Sequence, residues 1–209
     1  MCKVTAPLTI QNILWKYLSI GRSVETKTHL LDQAEHLARQ RGFDGFSFAD
    51  LAAGADIRKA SVHYHFPSKG DLSLALIARY RSVFVQRLQD ISDSHPTASA
   101  RLLSFLGLYR TASDGGRSLC LCVALSVTQT VLPEETTAEL AAFHRDVTAW
   151  LETVFRLGQS DGSVQQVVDP RADAQAAMAQ VEGAQIMARA AGDPARFEAA
   201  IATLVSRAV

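Results

Sequence analysis

Between Ile57 and Gly70 the chain carries no acidic residue, while Arg58, Lys59 and Lys69 are basic and Ser61, His63, Tyr64 and His65 can hydrogen-bond. Cationic groups interleaved with hydroxyls and imidazoles suit contact with phosphates and with the donor and acceptor edges of bases. The stretch that holds them, SFADLAAGADIRKASVHYHFPSKGDL (47–72), reads as a short helix, a tight turn, a second short helix and the start of a third. Ser47 and Asp50 have the spacing of a capping box, with Phe48, Leu51 and Ala52 as the apolar run behind it. Gly54-Ala55-Asp56 supplies the turn, because Gly and Asp both tolerate positive φ. Ser68 and Asp71 repeat the box, with Pro67 and Leu72 as a hydrophobic staple. Lys69 then stands at the first position of a long helix, where a cation opposes the helix dipole unless an anion sits in front of it. That placement implies a phosphate contact. A small helical unit whose second helix is basic is the physical description of a DNA-reading helix-turn-helix.

Cys120-Leu121-Cys122 is the other place where chemistry could reside. On a helix, positions i and i+2 lie about 200° apart, so the spacing predicts sulfurs on opposite faces. Chelation of one metal would then require local unwinding, and no spaced Cys-x-x-Cys or His-x₃-His partner accompanies the pair. Buried cysteines packing as small hydrophobes are the plain reading. A pocket thiol that reacts with electrophiles is the sharper one. A thiol-dependent redox enzyme would need a low-pKa thiol beside a base. No Gly-rich phosphate loop, metal-ligand cluster or nucleophile elbow is present. No enzyme activity, cofactor or metal is therefore expected.

The elements that must position these residues are all helical. From Glu25 to Arg41, Leu30, Leu31, Ala34, Leu37 and Ala38 recur at helical spacing and Gly42 ends the segment. Leu72, Leu76, Tyr80, Val83, Phe84, Leu88 and Ile91 form one stripe of a long helix over 69–92. Turn signals at 94–97, 113–116, 132–133 and 158–163 separate further helices expected over 98–112, 117–131, 134–157, 171–191 and 194–207. The first 23 residues read as an arm or extended start, since Leu8, Ile10, Ile13, Leu14, Tyr17 and Leu18 suffice for only a turn or two. Lys16 and Arg22 would let such an arm touch a minor groove.

The chain has 209 residues, 48% of them apolar and 20% charged, with Lys+Arg and Asp+Glu balanced at 21 each. A zero net charge argues against a protein that coats nucleic acid generally, so DNA affinity must come from the local acid-free patch. Three cysteines without a spaced framework fit a reducing cytoplasm. No stretch approaches the roughly 18 apolar residues of a membrane helix.

Residues 24–84 resemble the N-terminal domain of the TetR family of bacterial transcriptional regulators. The resemblance is carried by Ser47, Leu51-Ala52, the run Ala60-Ser61-Val62-His63-Tyr64-His65-Phe66, Ser68-Lys69 and Leu72. Three positions depart from the family pattern. Asp56 replaces a usual Gly, Arg58 replaces the Ser that caps the reading helix, leaving Asp56 to cap from further back, and His63 replaces a phosphate-contacting Tyr.

The resemblance implies an all-α chain in three parts: an arm (1–23), a three-helix DNA-binding domain (24–84), and a ligand-binding and dimerisation domain (85–209). It implies that Ser47, His63, Tyr64 and Lys69 grip phosphates. Arg58, Lys59, Ala60 and Ser61 would then meet base edges or nearby backbone. A pocket lined by Phe105, Tyr109, Cys120, Gln129, Phe143, His144, Trp150 and Met178 is expected. So is a homodimer interface through Val181, Gly183, Ala184, Ala188, Phe197, Ile201, Leu204 and Val205. The function implied is a repressor bound to a palindromic double-stranded operator and released by an unidentified small molecule, with no membrane partner. The alternatives are an electrophile sensor on the same fold and a helical ligand-binding protein that ignores DNA.

Overall fold

The computed structural model describes residues 10–128 and 132–209, with side chains from Ser23 onward. Among these residues there are nine α-helices and no strand beyond an isolated bridge between Val164 and Ala208. The helices are α1 (Ile10–Arg41), α2 (Phe48–Gly54), α3 (Lys59–His65), α4 (Lys69–Ser94), α5 (Ala98–Ser113), α6 (Leu121–Ser126), α7 (Glu134–Asp161), α8 (Pro170–Ala191) and α9 (Ala195–Val205).

The head is built from α1 to α3 and the start of α4. Leu30, Ala34 and Ala38 bring one face of α1 onto Phe43, Phe46, Phe48, Leu51, Val62, Phe66, Leu72 and Leu76, all buried. Both capping boxes form: Ser47 with Asp50 and Ser68 with Asp71, each side chain answering the other's backbone N–H. Asp56 adopts φ 52°, so it makes the turn between α2 and α3. It does not cap α3, whose N-cap, Arg58, has no side-chain cap bond.

In the body, α7 lies against α4, α5 and α8. Its buried Leu140, Phe143, Val147, Leu151, Val154 and Phe155 recur every three or four residues, which sets that face inward. The rings of Tyr80 and Phe84 on α4 meet Phe143 with centroids 5.7 and 5.2 Å away, and Phe84 meets Tyr109 at 6.0 Å. Such pairs contribute roughly 0.5–1.5 kcal/mol each beyond burial, and here they bind the long helix to the body. The expected boundary at 84 falls inside α4, which both parts share.

Two elements differ from expectation. α1 starts at Ile10 and runs unbroken through the boundary expected at residue 24, so residues 10–23 continue a helix and are not an extended arm. Residues 1–9 lie outside the described part. The helix expected over 117–131 contracts to Leu121–Ser126. Its missing first turn is held open by tertiary bonds: Leu119 N–H donates to Arg39 O at 3.0 Å, Arg39 Nε donates back to Leu119 O at 2.9 Å, and Cys120 N–H donates to Gln185 Oε1 at 2.8 Å. Backbone groups satisfied this way no longer need a helix.

Candidate DNA-binding head and thiol site

On α3, Val62 is buried while Lys59, Ala60, His63 and Tyr64 are exposed, with Arg58 exposed just before them and Ser61 half-buried. Tyr64 is 78% exposed, an aromatic ring with no core to fill. A shallow groove runs along this face between α3 and α1, lined by Thr26, Arg58, Ala60, Ser61, Tyr64 and His65. His63 sets its ring edge against Phe48 at 5.0 Å, and its Nδ1 lies 3.4 Å from Pro67 O. Burial, with Lys27 nearby, holds the His65 imidazole below its ordinary value, and its ring lies beside Phe66. The face presents cations, an amphipathic ring and hydroxyls, the donor set that reads a major groove.

Lys69 is not part of that face. Its Nζ donates to Phe43 O at 2.6 Å and lies over the rings of Phe46 and Phe43, 3.6 and 4.3 Å from their centroids. The ammonium cancels the dipole conflict by turning back to a carbonyl and two π faces. Burial pushes its pKa down to about 8. In the chain without DNA, Lys69 is thus a strut that joins α4 to the turn before α2. Ser47 commits its hydroxyl to the capping box, donating to Asp50 Oδ2 at 2.6 Å and accepting from the Asp50 N–H at 3.3 Å.

The two thiols are brought together. Cys120 is the N-cap of α6 with φ −56° and ψ 142°, so it is not helical and the opposite-face geometry does not apply. Its Sγ lies 2.6 Å from Cys122 Sγ and 3.2 Å from the Tyr80 hydroxyl, and both cysteines are buried and unbonded. Burial pushes the Cys120 thiol up, but hydrogen bonds from Cys122 and Tyr80 outweigh it and leave the pKa below the ordinary value. Cys122 is driven well above it by burial and by the neighbouring Cys120. Of the two sulfurs, Cys120 is the one that gives up its proton more easily.

A second chain of polar groups starts at Cys122. Its Sγ lies 3.4 Å from Glu182 Oε1, which also accepts from His144 Nε2 at 3.1 Å. The hydrogen bond with Glu182 raises the His144 pKa against the opposing effect of burial. Sequence reasoning named neither Glu182 nor Gln185 for the site. The only signal was a carboxylate and an amide beside buried positions in an alanine-rich helix.

The other expected pocket residues are packed. Phe105, Tyr109, Phe143 and Met178 are buried among one another, with the Tyr109 hydroxyl donating to Met178 S at 3.5 Å. Half-buried Trp150 donates to Ser92 Oγ at 2.8 Å. Gln129 lies outside the described residues. The open space is elsewhere: a cleft of about 410 Å³ between α1, α4 and α5, walled by Arg39, Arg79, Tyr80, Phe84, Leu108 and Thr111.

Most of the residues expected at a dimer interface are packed within their own chain. Val181, Ala184, Ala188, Phe197, Ile201 and Leu204 are buried inside their own chain, where α8 meets α9, α7 and α5. Val205 is half-buried against the same core. Only Gly183 faces open space, with nothing within 4 Å of where a Cβ would stand. On the same side of α8, Ile186 and Met187 are 42% and 57% exposed.

Comparison with known proteins agrees with this geometry. Residues 30–76, the stretch from α1 into α4, match the family described as bacterial regulatory proteins, tetR family. A TetR-family transcriptional regulator from Agrobacterium tumefaciens superposes with TM-score 0.83 at 31% identity, over 90% of this chain and 99% of that one. The HTH-type transcriptional repressor NemR of Escherichia coli is 29% identical over 168 residues, 79% of this chain and 84% of NemR. The reduced form of NemR superposes with TM-score 0.73 at 26% identity, over 88% of this chain and 97% of that one. A basic, ring-bearing α3 set on two capping boxes, in a head carried by a helical body that matches these regulators along nearly its whole length, places the chain in the TetR family of DNA-binding transcriptional regulators.

Proposed function

We propose that the protein is a cytoplasmic, homodimeric repressor whose α3 enters the major groove of a palindromic operator and which a small-molecule effector releases. The observation that carries the effector half is the two-way hydrogen bond between Leu119 and Arg39. It ties the residue before the thiol pair to the end of the head's first helix. Two further contacts run the same way: Thr128 Oγ1 donates to Asp44 at 2.6 Å, and a Cβ on Gly70 would meet Pro133 Cγ at 2.7 Å. An effector that wedges the cleft beside Tyr80, or shifts α6, moves these contacts and hence the spacing of two heads. The outward face of α8 around Gly183, Ile186 and Met187 is the surface we assign to the second copy, because small and apolar residues let helices approach closely.

The thiol pair favours a second reading of the effector. Cys120, its pKa lowered by hydrogen bonds from Cys122 and Tyr80, is the thiol for an electrophile that reaches it past Tyr80, and the sulfur sits one residue from the Arg39 bond. NemR, a repressor of similar sequence, has been crystallised in a form called reduced. A mobility-shift assay on the protein's own promoter region tests the whole reading. A dimer on a palindrome, freed by an added effector or electrophile, is the expected result. A monomer on one half-site, or no specific shift at all, overturns it.

A further inference from the structure

We propose that Cys122, His144 and Glu182 form a binding site for a thiophilic divalent cation, with zinc as the reference ion. This goes beyond the repressor reading and does not depend on it. One donor atom from each of Cys122, His144 and Glu182 falls within 4.8 Å of the other two. A tetrahedral ion with bonds of about 2.0–2.3 Å spaces its ligands by about 3.3–3.8 Å. The observed 3.4 Å from Cys122 Sγ to Glu182 Oε1 and 3.1 Å from His144 Nε2 to the same oxygen are close to two edges of that figure. The three donors come from α6, α7 and α8, so an ion here would cross-link three elements.

Charge and access fit as well. One thiolate and one carboxylate neutralise a doubly charged ion, and the imidazole binds as a neutral ligand. The Cys122 proton leaves to solvent, and the His144 Nε2 proton that now bonds Glu182 is displaced. A hydrogen bond to the Leu140 backbone already orients the imidazole, as ligating histidines usually require. The sulfur side is closed, since Cys122 and Cys120 are 0% and 1% exposed. The nitrogen side is open: the His144 and Glu182 side chains are 32% and 21% exposed, and His144 lines a surface depression with Arg145, Thr148 and Gln175. The fourth position of a tetrahedral ion would fall to a water molecule from the open side. Sulfur donors select zinc, cadmium or cobalt(II) over magnesium or calcium.

Cobalt(II) titration of the reduced full-length protein, followed by zinc displacement, tests the site. The expected result is one saturable equivalent per chain. It should show a thiolate-to-cobalt charge-transfer band and the intense visible bands of a tetrahedral ion, both erased by zinc. Cys122→Ser should remove the charge-transfer band. His144→Ala and Glu182→Gln, at half-exposed positions that leave the core intact, should each weaken binding by at least about tenfold, the scale set by loss of even an outer-sphere partner. Absence of a saturable spectrum overturns the proposal. So does a spectrum that the His144 and Glu182 variants leave unchanged, because that would assign the ion to the thiols alone.

Discussion

Arg189, near the end of α8, donates from Nη1 to the main-chain oxygen of Arg39 at 2.8 Å, and its other terminal nitrogen bonds Gln40 O. The last carbonyls of a helix have no partner of their own, so a guanidinium from the body completes the C-terminal end of the head's first helix. Arg39 in turn directs its side chain to Leu119 O and Ala112 O. Two arginines therefore join the DNA-binding head to α5, to the segment just before α6 and to α8, and Arg79 of α4 adds ion pairs to Asp32 and Glu35 of α1.

Removing that cap should loosen the head without touching its DNA face. Arg189→Ala is expected to cost about 1–3 kcal/mol, the range for removing a charged partner from part-buried carbonyls. Denaturant unfolding measures the change. Hydrogen exchange should rise first in the last turn of α1, and unchanged exchange there would mean that the bonds do not hold the head.

Positioning and reading residues should separate in DNA binding. Lys59→Ala and Ser61→Ala are expected to change preference among operator variants by about 1–3 kcal/mol for each base that is no longer read. Lys69→Met should leave the salt dependence of binding unaltered, since its ammonium already belongs to Phe43 O. A salt slope reduced by about one unit in that variant would return Lys69 to the phosphate backbone.

Lys69 also makes stability depend on alkaline pH. Its folded pKa of about 8 lies below the ordinary 10.5, so between those values the unfolded chain binds more protons than the folded one. Stability contributed through this group therefore rises as pH passes upward through that window and is constant below it. Relative to Lys69→Met, the wild-type protein should gain stability from pH 8 to pH 10. A flat or falling difference by chemical denaturation would contradict the burial.

Thiol chemistry should be ordered. Cys120, whose pKa is lowered, is expected to be modified before Cys122, whose pKa is raised. Cys120→Ser should abolish operator release by a maleimide while leaving binding in its absence intact. Mass spectrometry of the partly modified protein gives the order, and first modification at Cys122 would reverse the assignment.

Much of the architecture was legible in the residues. Leu30, Ala34 and Ala38 declared the inner face of α1 by spacing. Ser47 with Asp50, and Ser68 with Asp71, marked two helix starts to the residue, because a capping box is a local hydrogen-bond pattern that needs nothing distant. The acid-free run around α3 announced a nucleic-acid face for the same reason: a short helix carries its charge pattern with it. What depended on distant parts of the chain was decided only in three dimensions. Cys120 and Cys122 read as opposite faces of a helix until Arg39 and Gln185 took the backbone bonds that would have made one. Lys69 carried no sign in the sequence that Phe43 would offer it a carbonyl and a ring. Ile201 and Phe197 read as an outer seam, yet α8 had first claim on them, since an apolar stripe declares that it will be buried but not against which partner. Local hydrogen bonds and periodicity belong to the sequence; the identity of the partner, and so the meeting of Cys122, His144 and Glu182, belongs to the packed chain.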